Sequence, residues 1–350
     1  MQVTGPLELY KPGIWLSYIV LTFLFFIPDK IFLAQQYPDE GIHLALKEGI
    51  KNIIDQDYHN AELIFARLKK NNSGLPLGDI YLAAVKISKS VDYGQPYDNA
   101  AINDHFNRAE KICKALLKKN KEDKWNNYFY ALLTGYSAYF QAIQRNYVSA
   151  FSDGLTSKNH FEKCLASDSL FIEAYLALGT YKYWKSEKAD WIPFVSDERE
   201  TGIKYLEKSI RNPSYNYHLG INSLIWIYLN DDQVDKAIAI AEKVLTAHPN
   251  SRLFKRTLAY AYQRKDKSKS IVLFKDILNS VMQLPTNNHY NEIVLKHKIA
   301  MLYAETGQEQ NALEYCNEIL RISNLTPFTL ERLGNRMERV RKLQKELSRS

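Results

Sequence analysis

The stretch from Ile221 to Pro249, INSLIWIYLNDDQVDKAIAIAEKVLTAHP, constrains this chain more than any other. Two apolar-periodic segments flank a polar turn, Asn230-Asp231-Asp232-Gln233. Leu224 and Tyr228 stand four apart on the first segment, and Ala237, Ala241 and Val244 mark one seam on the second. Residues three and four apart share a helix face, so each segment is an amphipathic helix. Pro249 has no amide donor and clashes with the preceding turn, which ends the second helix. Antiparallel helices approach most closely near their turn, where one must present a small side chain, and Ala237 supplies it. A lone hairpin of this kind cannot bury both its apolar faces, so it must stack on neighbours.

Large residues on the first helix, a small one at Ala237 and a closing proline resemble a tetratricopeptide repeat. The pattern recurs. Leu178-Gly179 with Gly202, Leu206 and Ser209 (ended by Pro213) form one further unit, and Tyr262 with Ser270, Phe274 and Ile277 form another. A last unit holds Ala300, Tyr303, Gly307, Ala312, Cys316 and Ile319. Ala237 and Ala312 lie 75 positions apart, two units of slightly more than the roughly 34 residues typical of the family. Nearer the start, Gly49 and Ala61 take the two small positions, with Phe65 one turn later. The resemblance covers most of the chain, most clearly residues 171–322. It implies an all-α fold, a right-handed α-α superhelix of antiparallel hairpins.

Composition agrees with an all-helical reading. Of 350 residues, 46% are apolar, and only 14 Gly and 11 Pro interrupt helix-period patterning. The net charge is +7, but Lys and Arg alternate with Asp and Glu nearly everywhere, as on a solvated helix surface. A nucleic-acid groove needs its basic residues gathered on one face, so no nucleic acid is expected as partner. Cys113, Cys164 and Cys316 are too dispersed for a disulfide framework or a zinc site and fall in apolar seams, as small core residues do.

Residues 1–34 read as an export signal. The apolar run Ile14–Ile27 follows a leader containing Lys11 and is broken by Pro28-Asp29-Lys30. Fourteen helical residues span about 21 Å, short of the roughly 30 Å hydrocarbon core, which suits a signal segment better than a spanning helix. Cleavage after Ala34 is the expectation, although Phe32 is bulky for such a site; the alternative is an uncleaved membrane anchor over residues 14–34. Either way a periplasmic or secreted body follows. Residues 35–325 are expected to form an array of about seven hairpins. The second (Ile80–Ser88, Asn103–Leu117) and third (Tyr128–Gln144, Tyr147–Ala166) are degenerate. Residues 326–350 are expected to form a single charged capping helix, Pro327–Leu347, with Thr326 as N-cap.

No H-E-x-x-H, Gly-rich phosphate loop or G-x-S-x-G elbow is present, and the eight histidines are scattered. No catalytic residue, metal site or cofactor is expected. The family's concave surface is lined by the first helix of each unit, and its contact positions carry over to Tyr183 and Trp184, Asn222 and Trp226, then Arg256, Tyr260 and Gln263, and finally His297. The resemblance thus implies a non-enzymatic scaffold presenting an elongated groove to a protein or peptide, in a role such as envelope assembly or secretion. A second reading rests on the expansion Lys185–Asp197, where Trp191, Pro193 and Phe194 follow Trp184. These aromatics either pack under the loop or form a stacking platform for a small molecule or glycan. A ligand pocket should be closed and preformed, a protein groove open and long.

Overall fold

The computed structural model describes residues 35–189, 196–212, 214–285 and 288–349, all within one unit, Gln35–Ser350. The expected leader over residues 1–34, Pro213, and Trp191, Pro193 and Phe194 of the expansion lie outside the described residues. Among the described residues every regular element is a helix. Seven hairpins follow one another: α1 (Glu40–Ile54) with α2 (Tyr58–Asn71), α3 (Leu77–Tyr93) with α4 (Asn99–Lys119), α5 (Lys124–Ile143) with α6 (Tyr147–Ser167), α7 (Ile172–Ala189) with α8 (Arg199–Ile210), α9 (Tyr217–Asn230) with α10 (Val234–Ala247), α11 (Arg252–Lys265) with α12 (Lys267–Met282), and α13 (Tyr290–Glu305) with α14 (Glu309–Arg321). Two short helices close the described chain, α15 (Pro327–Leu333) and α16 (Arg336–Leu347). The fold is an all-α helical-repeat solenoid.

Local chemistry sets where these helices begin and turn. The side chains of Asp39, Asp57, Asp98, Asp123, Asn146, Asp266 and Thr326 each accept a hydrogen bond from an amide in the first helical turn, satisfying donors the helix itself leaves orphaned. The first, third, fifth and seventh hairpins share one device: a three-residue turn whose middle residue is left-handed. Gln56, Arg145, Asp232 and Gly307 occupy it, with φ of 64°, 63°, 57° and 73°. Only at the last does glycine meet that demand without a Cβ.

The small positions govern how closely paired helices approach. A Cβ on Gly49 would stand 2.4 Å from Phe65 Cζ, so the phenyl ring packs directly on the α1 backbone. In the fourth hairpin both helices contribute glycine, and a Cβ on Gly202 would lie 2.7 Å from the Gly179 carbonyl oxygen. Ala61, Ala237, Ala312 and Ser270 are fully buried at the corresponding seams. The three cysteines are buried free thiols, and burial pushes Cys113 and Cys164 up to about 12 and Cys316 to about 11. They serve as small core residues. Each hairpin also packs its second helix on the first helix of the next, so the apolar interior passes from unit to unit. Tyr260 and Leu273 join the core around α9–α11 to the core around α12–α13, and Tyr315 joins that to the one beneath α15 and α16.

The array also meets itself. Ile54, at the end of α1, belongs to the core of the fifth and sixth hairpins. Arg252 at the start of α11 donates through Nε (2.9 Å) and Nη2 to the two carboxylate oxygens of Asp92 at the end of α3. His248 Nδ1 pairs with Asp55 Oδ1 at 2.5 Å, and Asn291 Nδ2 donates to the Asp92 carbonyl at 2.7 Å. The Tyr215 hydroxyl accepts from the Tyr37 amide and bonds His43 Nδ1 at 2.7 Å. The N-terminal hairpins are thereby fastened to the entries of the fifth, sixth and seventh.

Three local expectations need correction. The single helix over Pro327–Leu347 is two, because Gly334 at φ 52° and ψ −129° breaks it, a conformation glycine alone adopts readily. The second and third hairpins are longer than their periodicity suggested, since Asp98 and Asp123 cap their helices several residues upstream of the first core position. Finally, the turn of the sixth hairpin, which the sequence places over Lys265–Ser268, is Asp266 alone, ending α11 and capping α12.

Candidate functional site

The first helices of the fifth and sixth hairpins carry the residues that line the inner surface. On α9 they stand one turn apart at His218, Asn222 and Trp226; on α11, at Arg252, Arg256 and Tyr260. Positions four apart share a face, so each set forms a continuous row. The N-terminal portions of both rows lie half-buried in a partly open cavity, with Arg252 buried, and Trp226 at the other end is exposed.

This cavity has a volume of about 340 Å³. Its polar wall is His218, Asn222, Arg252 and Arg256, and its opposite wall comes from α1, α3 and α5, where Ile50, Ile54, Ala84, Val91 and Tyr136 supply apolar surface. Arg252 is committed to Asp92 and to Ser280 Oγ (2.8 Å). Arg256 lines the same space, and among the described residues no ion pair or hydrogen bond of its guanidinium is found. His218 Nε2 meets His248 Nε2 at 2.9 Å, while its Nδ1 is buried with no partner. Asn222 Oδ1 is likewise buried and unpartnered. Burial, with His248 beside it, lowers His218 to about 4, so the ring is neutral near pH 7. One positive charge, Arg256, is therefore left uncompensated in a largely apolar space.

Beyond the cavity the rows run onto an open strip. The Trp226 and Tyr260 rings lie 5.5 Å apart with a 49° tilt, and Trp226 keeps 37% of its surface exposed. Lys298 on α13 places its Nζ 5.0 Å from the Tyr260 ring centre, a cation over an aromatic face. Met301, one turn along α13, is also exposed. Gln263 is half-buried one turn beyond Tyr260. Trp184 on α7 is half-buried and meets Tyr183 edge-on at 5.2 Å.

Two of the expected contact residues do not reach this surface. Tyr183 is fully buried; its hydroxyl donates to Asp231 and accepts from Asn230 Nδ2 at 2.8 Å, tying α7 to the turn after α9. His297 is buried beneath Arg336 of α16, whose Nη1 stands 3.1 Å from its Nδ1, and burial lowers its pKa to about 4. The turn at Gly334 is what brings Arg336 over α13. The groove expected to be open and long is divided, with Asn222 and Arg256 in the cavity and Trp226 and Tyr260 on the open strip. Sequence reasoning missed His218 and Arg252, though each lies one turn before a position it found. It had no means of finding the opposite wall, which is supplied by helices several hairpins earlier in the chain.

No helix among the described residues is long and apolar enough to cross a membrane. No family model matches this chain, and no curated protein matches it. Similarity is found among solved structures. The anaphase-promoting-complex heterotetramer Cut9-Hcn1 superposes with a TM-score of 0.56 at 12% identity, covering 87% of this chain and 50% of the other. Human IFIT1, as a monomeric mutant with Gppp-AAAA, gives 0.50 at 13% identity, covering 89% of this chain and 66% of that one. The C-terminal part of a tetratricopeptide repeat-containing protein from Cytophaga hutchinsonii gives 0.42 at 15% identity, covering 83% and 99%. This chain thus spans about half of the Cut9-Hcn1 chain.

Proposed function

Because the chain folds as a tetratricopeptide-like helical-repeat scaffold, we propose that it is an exported, non-enzymatic protein that holds a protein or peptide partner on the open strip of α9, α11 and α13. The observation that carries this reading is the tilted Trp226–Tyr260 pair with Lys298 over the second ring. Exposed aromatic surface beside a cation is the composition of interaction hot spots, and its rigid helical support keeps the ordering cost of binding low. Export rests on the apolar run Ile14–Ile27, and the absence of an enzyme's motifs from the sequence supports a binding role.

The test is capture from a cell-envelope extract by the intact protein, set beside a Trp226→Ala/Tyr260→Ala variant that keeps the parent's melting temperature. A distinct protein retained by the parent and lost by the variant supports the reading. Equal capture by both contradicts it, as does retention of RNA in place of protein. IFIT1 with Gppp-AAAA makes RNA the ligand class to include as that contrary outcome.

A further inference from the structure

The cavity between the N-terminal hairpins and α9/α11 has a chemistry that the strip lacks. Its apolar wall, including Ile50, Ile54 and Val91, faces a polar wall with three groups that find no partner among the described residues: the buried atoms Asn222 Oδ1 and His218 Nδ1, and the half-buried Arg256 guanidinium. Asp92 is the carboxylate in this lining, and Arg252 occupies both its oxygens, so it leaves Arg256 uncompensated. Buried polar atoms without partners carry a desolvation cost that a bound group removes. A volume of about 340 Å³ falls in the range of small-molecule sites, roughly 300–1,000 Å³.

We propose that this cavity binds a small amphiphilic organic acid. Its carboxylate pairs with Arg256, a neighbouring hydroxyl engages the open atoms of Asn222 and His218, and its apolar chain lies against α1 and α3. The ligand must bring a negative charge because Arg256 is the uncompensated one. It must bring a polar neighbour because two further buried atoms remain to be satisfied, and an apolar chain because Ile50, Ile53, Ile54, Ala84 and Val91 make much of the facing wall apolar. The inference stands apart from the peptide reading, since Trp226 and Tyr260 do not line the cavity.

The experiment is calorimetric titration of the full chain with 3-hydroxydecanoate, decanoate and decanol. The expected result is saturable one-to-one binding of 3-hydroxydecanoate, weaker binding of decanoate, and decanol weaker than 3-hydroxydecanoate by about tenfold or more. Arg256→Gln should weaken the acid by about tenfold or more while Arg256→Lys recovers part of the loss. Neither variant removes an ion pair or hydrogen bond found among the described residues, and each is compared with the parent only where its melting temperature matches. The Trp226→Ala/Tyr260→Ala variant should bind the acid as the parent does, which separates this site from the strip. Absence of saturable binding, decanol binding as tightly as the hydroxy acid, or undiminished affinity in Arg256→Gln would each overturn the proposal.

Discussion

Arg252 and Asp92, separated by 160 positions in the chain, form a bidentate ion pair that joins the start of α11 to the end of α3. Both side chains are nearly buried, at 9% and 12% exposure. Such a pair fixes geometry more than it stabilises, because its attraction is set against the desolvation of two charges. Its placement matters most: it helps bring α1 and α3 against the inner row of α9 and α11, dividing that row into cavity and strip.

Truncating one partner leaves the other charge buried alone. Arg252→Ala should lower unfolding free energy by about 3–5 kcal/mol, whereas the double apolar replacement Arg252→Met/Asp92→Leu should lose much less. Urea denaturation of the two variants checks this. Equal losses would mean that the pair's burial is not what the cost reflects.

In the fourth hairpin, Gly202 meets the backbone of α7, with a new Cβ placed 2.8 Å from the Tyr183 amide nitrogen. Backbone cannot rotate away as a side chain does. Gly202→Ala should therefore cost about 1–3 kcal/mol through overpacking, read as a shift of the urea midpoint. A neutral result would show that the two helices are not in contact there.

Gly307 offers the opposite case, because nothing lies within 4 Å of an added Cβ and only its φ of 73° resists substitution. Gly307→Ala should cost about 1–2 kcal/mol from left-handed strain alone. The same substitution at Gly74, where there is also open space but no positive φ, should change the urea midpoint little.

Asp79 predicts a pH dependence. Burial acts to raise its carboxyl, but hydrogen bonds from His105, Lys69 and Arg108 outweigh it and hold the pKa at about 2. A depressed folded-state value means the stabilisation is fully present above the unfolded value of about 4 and fades as pH falls from there towards 2. The loss should be about 2 kcal/mol. Asp79→Asn should flatten this part of the stability profile, and an unchanged acid limb would refute the assignment.

What the sequence revealed and what it hid divide by range. Ala237, Gly49 and the Gly179/Gly202 pair were legible because a hairpin's closest approach lies within one turn of its loop, so spacing alone locates it. The packing of α1 and α3 against α9 and α11 was not legible, since it depends on curvature accumulated over several hairpins and on pairs such as Asp55–His248. Tyr183 and Trp184 show a finer limit: neighbours in sequence point about 100° apart on a helix, and only Trp184 retains exposed surface. His297 occupies a concave position by register, yet the glycine turn at 334 brings Arg336 over it.

The division of the inner row can be measured by thiol accessibility. Cys113, Cys164 and Cys316 are buried with raised pKa values, so they provide a silent background. Asn222→Cys and Trp226→Cys variants would place a thiol on each side of the boundary, one turn apart. Labelled with a bulky maleimide under native conditions, Trp226→Cys should react about tenfold faster than Asn222→Cys, because the cavity walls restrict a bulky reagent at the half-buried position and local opening speeds its access. Adding Arg252→Ala to the Asn222→Cys variant should erase much of its protection. Equal labelling rates at the two positions in the unperturbed fold would contradict the cavity and the account built on it.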